Sequence, residues 1–150
     1  MEPETVRAGD DYATYRLLVD LWAAENPVKT AKLLALIVVN TLLVSAVTLG
    51  GWVTPRSWPA CLAGAAFSLV FLFSLGRTVL FQETWRIRIR ALAARYPADE
   101  RFQGLETADA RRDSPAPLRI LGAIPSAYYL LGMPLLLCLF WIAALVIVLS

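Results

Sequence analysis

Few groups in this chain could do chemistry, and they are badly placed for it. Histidine is absent, which removes the commonest general base and the commonest metal ligand. Ser–His and Cys–His nucleophile pairs and histidine-ligated haem are thereby excluded. The two cysteines, Cys61 and Cys138, both fall inside long apolar runs, where a lone cysteine acts as a small hydrophobe. A disulfide between them is not expected. Nor is a metal site, because zinc needs more donors than two thiols offer. No phosphate-binding loop, G-x-S-x-G elbow, H-E-x-x-H, C-x-x-C or pair of catalytic carboxylates occurs. The expectation is a protein with no catalytic residue, no cofactor and no enzymatic activity of its own.

The remaining polar candidates are suited to holding helices together. Asn40, Thr41, Ser45 and Thr48 lie within one apolar run. Hydroxyls there can bond the carbonyl of their own preceding turn, so each alone means little. An amide in hydrocarbon needs a partner and can join helices at about 1–2 kcal/mol or less. For Asn40, a contact to another helix or subunit stands beside an amide satisfied within its own helix or by water, with substrate binding as the remaining reading. Ala60, Gly64 and Ser68 follow at four-residue intervals, a stripe of small residues that lets another helix come close. Beyond them, Trp85, Ile89 and Leu92 form an apolar helical face. Arg86, Arg88, Arg90 and Arg95 surround it. These arginines read as a solvated juxtamembrane face or as contacts to anionic lipid, each adding about 1 kcal/mol near an anionic leaflet. Nucleic acid is not an expected partner, because no binding fold accompanies the charges.

The elements that carry these groups are three long apolar runs, at 33–53, 59–76 and 123–150. None contains an ionisable residue other than cysteine and tyrosine. A helix needs about 20 residues, at ~1.5 Å each, to cross a hydrocarbon core of about 30 Å. The chain is 58% hydrophobic, well above the 45–50% or so of soluble domains. The fold class is therefore all-α, a single polytopic membrane domain with three transmembrane helices. Before the first run lie Arg7, Arg16, Lys29 and Lys32. Only Arg56 lies between the first and second, nine arginines lie between the second and third, and none follows. Basic residues mark cytoplasmic segments, so the N-terminus and the second connection are expected inside and the C-terminus outside. Trp52 and Trp58 near the outer connection, and Tyr128 and Tyr129 at the start of the third span, suit the headgroup level.

Along the chain, residues 1–10 are polar and expected to fray. Tyr12, Tyr15, Leu18, Val19 and Trp22 recur at helical spacing, giving an N-terminal amphipathic helix over 11–25. Asn26-Pro27 reads as a new start, with an Asn cap and Pro at the first helical position. It opens a first span at 28–53, whose Lys29 and Lys32 would snorkel to the headgroups. The second span, 59–76, shows no stop and continues as a cytoplasmic helix to 95, where Tyr96-Pro97 ends it. The alternating Trp85–Arg90 stretch also fits a short strand. Residues 97–122 read as a cytoplasmic loop, with room for one short helix near 98–110. The third span, 124–149, contains Pro134, which usually kinks a helix. Its first part is expected to pack on protein and the rest to face lipid. The first 32 residues hold no apolar signal core, so the first span is expected to serve as the targeting signal.

The run Tyr15-Arg16-Leu17-Leu18-Val19-Asp20-Leu21-Trp22 leads into Glu25-Asn26-Pro27-Val28-Lys29-Thr30-Ala31-Lys32-Leu33. An Asn-bearing span follows, and later Gly76-Arg77-Thr78-Val79-Leu80-Phe81-Gln82-Glu83-Thr84-Trp85. Over roughly residues 12–96 this resembles the RipA-like octameric membrane proteins of the bacterial inner membrane. The resemblance implies a homo-oligomer, nominally an octamer, in the cytoplasmic membrane, and no catalytic residues. The expected function is a non-enzymatic scaffold or accessory protein that partners itself, membrane lipid and an unidentified membrane protein. Asn40, Ala60, Gly64, Ser68, Trp85, Ile89 and Leu92 are its expected packing surfaces, and Gly64→Leu should break the assembly. The alternatives are an oligomeric pore lined by Asn40, Thr41, Ser45 and Ser68, and a subunit of a larger membrane complex.

Overall fold

The computed structural model is all-α, and it describes residues 2–51, 54–103, 114–121, 123 and 125–150. Helix α1 spans Glu2–Leu49, α2 spans Trp58–Ala93, α3 spans Ala116–Leu121 and α4 spans Ser126–Leu149. Single 3-10 turns occur at Pro55–Ser57 and Glu100–Phe102. Three of these helices, α1, α2 and α4, are long and apolar enough to cross a membrane. Among the described residues there is no strand, and Trp85–Arg90 is helical.

The chain forms two compact units. One unit, with the membrane-length apolar segments, comprises residues 27–79 and 126–150; the other comprises residues 1–26 and 80–125. They are called here the apolar unit and the polar unit. Both α1 and α2 contribute to each.

In the polar unit the expected break at Asn26-Pro27 does not occur, and α1 runs through Pro27. Proline removes the N–H that would serve the carbonyl of Ala23 and crowds the preceding turn. Here Gln82 of α2 braces that turn. Its Nε2 donates to the Trp22 carbonyl and to Asn26 Oδ1, at 3.2 Å each. Neighbouring side chains that re-engage the loosened backbone let a helix tolerate proline. Residues 2–10 continue α1 rather than fraying as a separate coil.

Tyr15, Leu18, Ile89 and Phe102 form the buried core of this unit. Tyr12, Val19, Trp22, Trp85, Leu92 and Tyr96 pack around them. Within the segment read as a 97–122 loop, the described residues carry the Glu100–Phe102 turn and α3. The helix expected near 98–110 falls partly on residues 104–110, outside the described residues.

In the apolar unit, Val47, Cys61, Trp141 and Ala144 form a second buried cluster. Helix α1 ends at Leu49, short of 53, with Gly50 and Gly51 following and Gly51 at φ 92°. Helix α4 continues through Pro134 and buries one face along its length: Leu130, Pro134, Cys138, Trp141 and Ala144. The expected division of this helix into a packed first part and a lipid-facing remainder is therefore corrected. The division is by face, because residues at three- and four-residue steps share one side of a helix.

Candidate functional site

The most specific polar contact in the apolar unit joins α4 to α1. Trp141 Nε1 donates to Asn40 Oδ1 at 2.5 Å, and Asn40 Nδ2 donates to the Leu36 carbonyl at 2.8 Å. Both expectations for Asn40 are thus met by one side chain, its oxygen reaching another helix and its NH2 its own. The indole of Trp141 fills the space beside Gly64, so that a Cβ there would overlap the ring. Gly64 is small because a tryptophan of the same chain covers it. Its place in the small-residue stripe is taken by packing within the chain, and Gly64→Leu would disrupt that packing before it tested any assembly.

One turn on, Ser68 is fully buried, and its hydroxyl has no hydrogen-bond partner among the described residues. Ala60, the first of the stripe, packs at the edge of the same cluster. Cys61 and Cys138 are buried free thiols, and Cys138 lies 3.7 Å from the Ala65 carbonyl. Ser45 and Thr48 bond carbonyls of their own helix, those of Thr41 and Ser45.

Lys32, expected to snorkel to the headgroups, is anchored on α2: its Nζ donates to Thr78 Oγ1 at 2.7 Å and to the Ser74 carbonyl at 3.2 Å. Thr78 is itself buried. The ammonium bridges α1 and α2 because two oxygens of α2 face it at the depth where the first span begins.

In the polar unit the apolar face expected to await a partner is covered by the chain itself. Ile89 is only 1% exposed, enclosed by Tyr15, Leu18 and Phe102, with Trp85 and Leu92 packed beside it. Phe102 stacks on Tyr96 at 4.6 Å and meets Tyr12 and Tyr15 edge-on. The turn that delivers Phe102 is capped by Asp99, whose Oδ1 accepts from the Arg101 backbone N–H at 3.1 Å. The Arg101 guanidinium closes on the same carboxylate, with Nη2 2.6 Å from Oδ2. That pairing holds the Asp99 carboxyl below the usual carboxylate range and the Arg101 guanidinium above its usual one. Tyr96 Oη donates to Asp11 Oδ2 at 2.8 Å, tying the end of α2 to α1.

The four arginines expected to meet lipid are not equivalent. Arg95 reaches Asp11 at 3.9 Å, and Arg86 pairs with Glu83 at 3.4 Å. Arg88 lies over the Trp85 ring, 5.6 Å from its centroid. Arg90 is exposed.

These contacts are structural joints. Among the described residues no group of three or more His, Cys, Asp or Glu side chains could hold a metal ion. Sequence reasoning missed Trp141, Gln82 and Phe102. Gln82 and Phe102 carried a faint signal, an amide on an otherwise apolar helical face and a phenylalanine alone in a charged stretch. Trp141 carried none, because its whole neighbourhood is apolar. The chain matches no known protein family, no curated protein and no solved structure.

Proposed function

We propose that this protein is a non-enzymatic, homo-oligomeric membrane scaffold of the bacterial inner membrane. In this reading the arginine-rich polar unit lies on the cytoplasmic side. The supporting observation is a set of apolar side chains that the polar unit leaves exposed on both of its long helices after burying its own core. Leu80 and Ile87, seven residues apart on α2, are 69% and 60% exposed, and Leu17 on α1 is 59% exposed with Leu21 beside it. Apolar surface of this kind outside a span normally marks a protein contact. A second copy is the occupant that closed symmetry favours. The self-contact thus falls on Leu17, Leu21, Leu80 and Ile87 rather than on Trp85, Ile89 and Leu92, which the chain covers itself.

Native mass spectrometry of the detergent-solubilised protein tests this reading. Subunit number follows directly from a 16.5 kDa monomer. The expected result is one discrete homo-oligomer that Ile87→Glu dissociates. A monomer, or a stoichiometric second chain, overturns the reading and directs attention to an accessory role in a larger complex.

A further inference from the structure

The apolar unit contains four cations, Lys29, Lys32, Arg56 and Arg77, and no aspartate or glutamate. Three of the four stand at one end. Lys29 precedes Lys32 by one helical turn, and Arg77 adjoins Thr78, the residue to which Lys32 bonds. The Lys32 ammonium is half-buried and held by two neutral oxygens, with no carboxylate paired to it among the described residues. An ammonium carries three donors. Two are placed on Ser74 and Thr78, which leaves one donor and a whole positive charge uncompensated within the unit.

The depth of this cation is informative. From Lys32 to Leu49 the helix rises about 26 Å, and from Trp58 to Thr78 about 30 Å, at ~1.5 Å per residue. Both distances match a hydrocarbon core of about 30 Å. Lys32 and Thr78 therefore stand about one core thickness from the turn at Pro55–Ser57. Helix α4 marks the same level. Leu131 lies against Gly76, which puts exposed Tyr128 and Tyr129 one turn further, where aromatic rings favour the headgroups.

We propose that Lys32, seated between α1 and α2, binds the phosphate of an anionic phospholipid. Thr78 fixes the ammonium so that its free donor meets the phosphate oxygen. Arg77 and Lys29 supply further positive charge at that level, and Tyr128 and Tyr129 border the acyl-headgroup boundary. A zwitterionic lipid brings its own cation into this field and is disfavoured.

The test is lipid binding to the full chain in neutral detergent, read by native mass spectrometry and thermal unfolding, with phosphatidylglycerol, phosphatidylcholine or inorganic phosphate added. Wild type should retain phosphatidylglycerol and be stabilised by it, and should respond little to phosphatidylcholine or phosphate. Lys32→Gln keeps a donor near Thr78 but removes the charge, and should weaken phosphatidylglycerol binding about fivefold, the worth of one basic residue near an anionic surface. Arg77→Gln, at an exposed position, should weaken it to a similar degree. Arg56→Gln, at the other end of α2, should leave it unchanged. Wild-type affinity in Lys32→Gln overturns the proposal, as does equal stabilisation by inorganic phosphate, which would make the ligand a free anion.

Discussion

Trp141 donates its indole N–H to Asn40 while its ring occupies the space that Gly64 leaves empty. One residue of α4 thereby fixes both other helices of the apolar unit, α1 by a directed polar bond and α2 by shape. In hydrocarbon, where burial of apolar surface no longer drives helices together, close packing and interhelical hydrogen bonds carry the association.

The bond and the shape can be separated. Trp141→Phe should remove the donor while keeping most of the ring, and should cost about 1–2 kcal/mol because Asn40 Oδ1 is left unpaired. Asn40→Leu should cost a similar amount, and the double variant less than the sum. Reversible unfolding in mixed micelles, analysed as a double-mutant cycle, measures the coupling. Strict additivity would show that the bond contributes nothing.

Gly64→Ala should destabilise by about 1–3 kcal/mol through overpacking, because the added methyl meets the indole ring. Pairing it with Trp141→Leu should restore part of the loss. A thermal midpoint unchanged by Gly64→Ala would contradict the close approach of α2 and α4.

Ser68→Ala should be neutral or stabilising by up to about 1 kcal/mol, since it removes a buried hydroxyl that lacks a partner. A loss of more than that would show that the hydroxyl is engaged. The same unfolding assay decides.

These positions show how far the sequence could be read. The three apolar helices and the run of α2 to Ala93 follow from hydrophobic length and from Tyr96-Pro97 as a terminator. The face Trp85/Ile89/Leu92 was equally plain, but periodicity says only that a helix face is covered, not by which segment. Phe102, Tyr15 and Leu18 cover it from distant parts of the chain. Pro27 was misread because an Asn-Pro pair looks the same at a helix start and within a braced helix. The brace is Gln82, far away in sequence. Trp141 was illegible for the opposite reason: where every face is apolar, no face stands out.

Phe102→Ala should loosen the polar unit by about 3–5 kcal/mol, the usual cost of emptying an aromatic core position. Hydrogen exchange should then accelerate over Tyr12–Trp22 and Trp85–Tyr96 and stay unchanged over Leu130–Ala144. Equal acceleration everywhere would show that the two units do not unfold independently.

Acid should loosen the turn that carries Phe102. The carboxyl of Asp99 is lowered in the folded state, chiefly by its hydrogen bond to the Arg101 side chain. Its contribution is therefore complete above the ordinary aspartate range and is lost as pH falls through the lowered folded value. The effect is small, because the pair is largely in solvent. Tyrosine fluorescence of the Phe102 cluster should show an acid transition in wild type that Asp99→Asn removes, and an unaltered transition in that variant would assign it to another carboxylate.

The joint at Asn40 also sets an order of events during synthesis. Its two helical partners are Leu36, four residues before it, and Trp141, which lies 101 residues later. The amide oxygen and the gap at Gly64 therefore stay open while α1 and α2 are already in the bilayer, and they close only when the second half of α4 emerges. Until then the nascent hairpin presents an unpaired amide oxygen and a cleft to whatever surrounds it.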